Sequence, residues 1–143
     1  MNEIIMDAKT KNLQISKIIP KIEDPELVSM IKEINLTVEK IIKTIETKPE
    51  KYKKSQRFFD YYLPVTIDIL NRYDEIENQE LTTKDSQKFM DNTKKMIERI
   101  NNAFKKQLSS LYQSDMIDTD AEMKVFDSML KADGYNDDDF DIK

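Results

Sequence analysis

The chain of 143 residues has no histidine and no cysteine, and its one glycine is Gly134. Without cysteine it has no disulfide, no thiol nucleophile and no thiolate zinc site. Without histidine it lacks the side chain best suited to proton transfer near neutral pH. Glycine usage averages roughly 7% in proteins. Hairpin turns and phosphate-cradling loops need it where φ turns positive or the backbone closes on a ligand. Sheets, dinucleotide-binding units and P-loops are therefore not expected. The fold class predicted is all-α. Arginine is also scarce, at three of 23 basic residues (Arg57, Arg72, Arg99). Purely apolar runs reach three residues, as in Ile4-Ile5-Met6, too few for a bilayer span or a secretory apolar region. A cytoplasmic protein is expected.

Charged residues make up 36% and hydrophobic ones 38%, the balance of long amphipathic helices that expose one face. The net charge of −5 is unevenly spread. Residues 1–57 carry 12 basic and 9 acidic side chains, residues 58–114 carry 8 and 9, and residues 115–143 carry 3 and 10. No face is basic enough to neutralise many phosphates, so nucleic acid is not an expected partner. The weakly basic N-terminal part could make peripheral contact with an anionic membrane, although solvated helix faces are the preferred account.

Five helices are predicted, arranged as an elongated antiparallel bundle of three long helices with a shorter one at each end. The first, near 2–17, is weakly patterned (Ile4, Ile5, Leu13, Ile15, Ile18). The second begins sharply at Asp24-Pro25-Glu26, a cap, a proline suited to the first helical position and an acid at the positive end of the dipole. Its residues Leu27, Ile31, Ile34, Val38, Ile41 and Ile45 form a heptad seam, which Lys48-Pro49 ends. The third helix, near 50–78, places Phe59, Tyr62, Leu63, Thr66, Ile69, Leu70 and Tyr73 on one wide face. Pro64 lies opposite on the solvent side, as a kink rather than a terminus. A polar connection, 79–83, leads to a fourth helix near 84–113 bearing Phe89, Met96, Ile97, Ile100, Phe104, Leu108 and Leu111. Thr119-Asp120-Ala121-Glu122 reads as a capping box for a fifth helix, with Gly134 just past its end. By domain, residues 1–22 form the weak N-terminal helix, 23–135 the bundle and 136–143 an acidic disordered tail. The seam serves the inside of a monomer in preference to a homodimer interface.

The chemical constellations are few. Asp118, Asp120 and Glu122 superficially resemble the paired-aspartate signature of aspartyl-phosphate phosphatases, but no apolar strand precedes them, and a helix cap is the simpler reading. They remain the metal-binding alternative. Asp137, Asp138, Asp139 and Asp141 lack the glycine and the bidentate glutamate of a calcium loop. Phe59 and Tyr62 are expected in the core, whereas Tyr61, Asp68 and Arg72 share an exposed strip that is the candidate binding site. No catalytic residue and no cofactor are expected.

Arg57-Phe58-Phe59, Tyr61-Tyr62-Leu63-Pro64, Thr66, Leu70 and Tyr73 form one block of a wider pattern. Ile100-Asn101-Asn102-Ala103-Phe104, Leu108, Leu111, Asp118, Met129-Leu130 and Asp133-Gly134 form the second. Over about residues 49–135 the chain resembles the 5-bromo-4-chloroindolyl phosphate hydrolysis protein family (XpaC-like). Val65 departs from the family's threonine after the proline, and the hydrophobic N-terminal segments of many relatives have no counterpart here. The resemblance implies hydrolysis of a chromogenic phosphate ester and an association with toxic-anion (tellurite) resistance, and it carries no catalytic residues with it. Hydrolysis needs a nucleophile or an activated water and positive charge on the departing phosphate. Composition argues against that machinery. The function predicted is a non-enzymatic adaptor or scaffold that binds a protein partner, with a phosphate-ester hydrolase using an acidic metal site as the alternative.

Overall fold

A computed structural model describes residues 1–135. The helices are α1 (Asn2–Ile18), α2 (Pro25–Thr47), α3 (Tyr52–Arg57), α4 (Leu63–Asn78), α5 (Lys84–Leu111) and α6 (Gln113–Ala132). A single π-helical turn, Phe58–Tyr62, joins α3 to α4, so the backbone stays helical through Pro64. No strand occurs among the described residues. The all-α expectation holds. The acidic tail at 136–143 lies outside the described residues.

Two compact units divide the chain, Met1–Leu111 and a second that begins at Tyr112. In the first unit α2 packs on α1 and on α5, and α4 packs on the same two helices, so four helices surround one core. Asp24, which caps α2, and Glu33 within it pair with Lys94 and Lys105 of α5, so these neighbours run parallel. Phe58 meets Phe104 while Ile69 and Met96 line the same cavity, so α4 and α5 run antiparallel. The connection at Lys48 therefore crosses the bundle diagonally.

The seam of α2 forms as its spacing predicts. All six residues, Leu27 to Ile45, have no exposed surface. The start of α2 also matches, with the Asp24 carboxylate accepting the amides of Glu26 and Leu27 at 2.9 and 3.1 Å. Helix α1 contributes Ile5, Ala8, Ile15 and Ile18 to the core, while Leu13 is exposed. An amide clamp holds α1 to α2. Asn35 donates to the carbonyl and side-chain oxygens of Asn12 at 3.0 and 2.8 Å, and Asn12 donates to the Asn35 carbonyl at 3.1 Å.

The third helical segment departs from expectation at its aromatics. Tyr62, expected in the core, is 45% exposed, whereas Phe58 is 1% exposed and Ile67 is also buried. The π turn explains the change. The Leu63 amide bonds to the Phe58 carbonyl, five residues back, and one extra residue in a turn rotates the downstream helix by about 100°. The core face passes from Ser55, Phe58 and Phe59 to Leu63, Thr66, Leu70 and Tyr73, leaving Tyr62 outside. Pro64 is half-buried rather than fully on the solvent side.

The fifth predicted helix begins earlier than the capping box suggests. Thr119, Asp120, Ala121 and Glu122 lie inside α6, because no proline or glycine interrupts residues 113–132. Its end is as expected. Gly134, at φ +93°, closes it, with the amides of Gly134 and Tyr135 bonded to the carbonyls of Lys131 and Leu130 at 3.1 and 2.8 Å.

The edge-on packing of Phe58 against Phe104, with centroids 4.9 Å apart, generates a comparison. Phe58→Ala is expected to destabilise the first unit by about 3–5 kcal/mol, and Tyr62→Ala by far less. Urea titration checks this, and equal losses would contradict the register shift.

Candidate docking groove

The face of the first unit between the π turn with α4 and α5 is open and apolar. A cavity of about 710 Å³ is lined by Phe58, Tyr61, Tyr62, Val65, Thr66 and Ile69 on one side. Met96, Arg99, Ile100, Ala103, Phe104, Lys106, Gln107 and Ser110 of α5 line the other. A second depression of about 440 Å³, lined by Asp68, Ile69, Arg72, Phe89, Asn92, Thr93 and Met96, shares Ile69 and Met96 with it. Together they make one continuous groove along α4 and α5.

The π turn determines what this groove displays. By rotating Phe58 inward it leaves Tyr61 and Tyr62 on the rim, 57% and 45% exposed, with their rings edge to face at 5.5 Å. The structure thus brings Tyr61, Asp68 and Arg72 to one groove, Tyr61 in the larger part and the other two in the smaller. Arg72 approaches Glu75, at 3.8 Å. Sequence reasoning did not include the α5 wall. Arg99 and Lys106, seven residues apart, share a helix face beside Ile100 and Ala103, and that spacing was the available signal. Among the described residues neither cation pairs with a carboxylate.

The opposite side of α5 faces α2 across a charged cleft. Lys94 bridges Asp24 at 3.0 Å and Glu26 at 2.6 Å, and Lys105 pairs with Glu33. Burial raises the affinity of the Asp24 carboxylate for its proton. The Leu27 amide, Lys94 and the Glu26 amide outweigh this and hold its pKa below the usual value. The Glu26 and Asp24 carboxylates hold the Lys94 ammonium protonated above its usual range. The Tyr73 hydroxyl is pushed up to about 12, first by burial and then by the negative charges of Glu77 and Asp24. Asn101 is buried here, and its Oδ1 has no hydrogen-bond partner in the protein. Lys94 with Asp24 and Glu26, and Lys105 with Glu33, tie the two helices across the cleft, which suits a structural clasp.

The alternative metal ligands lie on α6. Asp118 and Glu122 are one turn apart on a common face, but Asp120 falls about 200° around the helix from Asp118. No three Asp, Glu, His or Cys residues among those described are grouped to hold a metal ion. No described helix is long and apolar enough to cross a membrane.

These features define an all-helical bundle protein with an open, cation-rimmed apolar groove. Residues 1–126 match the profile of the family described as 5-bromo-4-chloroindolyl phosphate hydrolysis protein, and the chain belongs to that family. No curated protein and no solved structure matches it significantly.

The clasp predicts a pH response with a definite sign. The Asp24 pKa is lowered on folding, so its contribution is present at neutral pH and is lost as pH falls through and below about 4. Asp24→Ala is expected to cost about 1–2 kcal/mol at neutral pH and to flatten the acid limb of a stability–pH profile. On the alkaline side a raised tyrosine pKa favours the neutral, folded form. Stability should fall between pH 10 and about 12, and less steeply in Tyr73→Phe. Thermal melts across pH measure both limbs.

Proposed function

We propose that this protein is a non-enzymatic helical adaptor whose groove between α4 and α5 receives an amphipathic helix of a protein partner. The observation that carries the reading is the continuous apolar groove, rimmed by Tyr61, Tyr62, Arg99 and Lys106. Helix-in-groove recognition needs an apolar trough for residues spaced three and four apart, and flanking charges to orient the ligand helix. Tyrosines at the rim supply apolar area with a polar edge, the usual composition of binding hot spots. The adaptor would act in the cytoplasm, with peripheral membrane contact, in an envelope or toxic-anion stress system, without nucleic acid.

The family name favours a second reading, direct hydrolysis of a phosphate ester. That chemistry requires an activated nucleophile and concentrated positive charge or metal at the phosphate. Arg99 and Lys106 could contact an anion, but no carboxylate and no thiol lines the part of the groove that holds them. The carboxylates of the metal alternative sit on a solvated helix with Asp120 turned away from the other two. The hydrolysis in the family description is then an effect on another enzyme's activity.

Two measurements separate the readings. A photo-reactive residue placed at Tyr61 or Ile69 in the producing cell should cross-link a discrete protein, and one placed at exposed Lys32 should not. Equal yields at all three positions would count against the groove. Purified protein should not hydrolyse 5-bromo-4-chloroindolyl phosphate, with or without magnesium, manganese or zinc. Metal-dependent turnover present in wild type and absent in Asp118→Asn/Asp120→Asn would establish the hydrolase instead.

A further inference from the structure

Helix α6 has 20 residues, none of them buried. Met116, Ile117, Met123, Val125, Phe126 and Met129 are each more than half exposed. A helix that buries nothing gains no packing energy from its apolar side chains, and tertiary packing is the usual source of helix stability. Met116, Met123, Phe126 and Leu130 follow spacings of seven, three and four, which aligns them as one stripe. On the wheel Asp120 and Asp127 flank that stripe on one side, and Asp115 and Glu122 on the other. The helix carries five acidic and two basic side chains. It is an acidic amphipathic helix.

The groove has the complementary character. Its floor is apolar, and Arg72, Arg99 and Lys106 stand along it against the single acid Asp68. The lengths agree as well. The α5 wall from Phe89 to Ser110 runs about 32 Å and α6 about 30 Å at 1.5 Å per residue. The α2 seam is fully used inside the bundle, so it offers no surface for association, whereas the groove and the stripe each present exposed apolar side chains.

We propose that the groove binds α6 of a second copy of this chain, with the acids beside the stripe meeting Arg99 and Lys106. This rests on the groove being a helix-docking site and names its occupant. Exchanged reciprocally, two such contacts close into a dimer with both stripes covered. A dimer held this way keeps each groove filled until a competing acidic helix displaces α6, so self-association sets the threshold for partner binding.

Sedimentation velocity of the full chain over a wide concentration range tests this, with circular dichroism confirming that each variant remains helical. Wild type is expected to show a monomer–dimer equilibrium that weakens with added salt. Arg99→Glu/Lys106→Glu should raise the dissociation constant at least about tenfold, as should Phe126→Asp, which alters only an exposed position. Asp120→Lys/Glu122→Lys should do the same. An equimolar mixture of the groove and α6 charge variants should regain association, because reversed charges then face each other. A monomer at every concentration would overturn the proposal, whether the groove then holds the chain's own α6 or a foreign helix. Association indifferent to all the variants would overturn it too. Cross-linking from Tyr61 to another protein, with no self-association, would leave the docking groove standing and remove this occupant.

Discussion

Pro64 has no amide hydrogen, and the face that this protein presents depends on how the helix accommodates that. An uninterrupted α-helix would leave the Asp60 carbonyl without its donor and press the proline ring against it. A π turn over Phe58–Tyr62 replaces it, so one residue is gained and the register changes. Phe58 turns in against Phe104 and Phe59, and the two tyrosines turn out. Thr66 closes the arrangement by donating its hydroxyl to the Tyr62 carbonyl at 2.6 Å. The aromatic motif thus serves two purposes within five residues, half anchoring the core and half rimming the groove.

Much of the bundle was legible in the sequence because its strongest signals are local. The α2 seam, the Asp24 cap, the break at Lys48-Pro49 and the closure at Gly134 each rest on a few adjacent residues with one physical outcome. The exposure of Tyr61, Asp68 and Arg72 was legible too, since all three lie on one segment. The π turn was not, because composition shows that Pro64 must be accommodated and not how. Its cost was the misplacement of Tyr62. The α5 wall was obscured by the polar residues Ser86, Thr93 and Asn101 at buried positions, which blur the apolar stripe that would have fixed the helix's rotation. The start of α6 was missed for another reason. A capping sequence marks a helix start only where the backbone before it is not already helical.

The family description and the chemistry of the chain point in different directions, and the placement of charge bears on which to favour. Along the α2–α5 cleft Lys94 pairs with Asp24 and Glu26, and Lys105 with Glu33. Arg99 and Lys106 stand beside apolar side chains on the other face of α5. Cations so placed suit the orientation of an acidic ligand through long-range attraction.

The parallel pairing of α2 with α5 bears on how the chain comes into being. Asp24 and Lys94 meet across 70 positions of sequence, so half of the α2 seam has no permanent neighbour until nearly the whole first unit has been synthesised. Ribosomes add roughly 5–20 residues per second, which leaves Leu27, Ile31 and Ile34 uncovered on that side for several seconds in each nascent chain. Only α1, held by the Asn12–Asn35 clamp, is present from the outset to shield the other side. The nascent chain is therefore sticky along one isoleucine-rich edge, and its yield in the cell will depend on whatever covers that edge before α5 emerges.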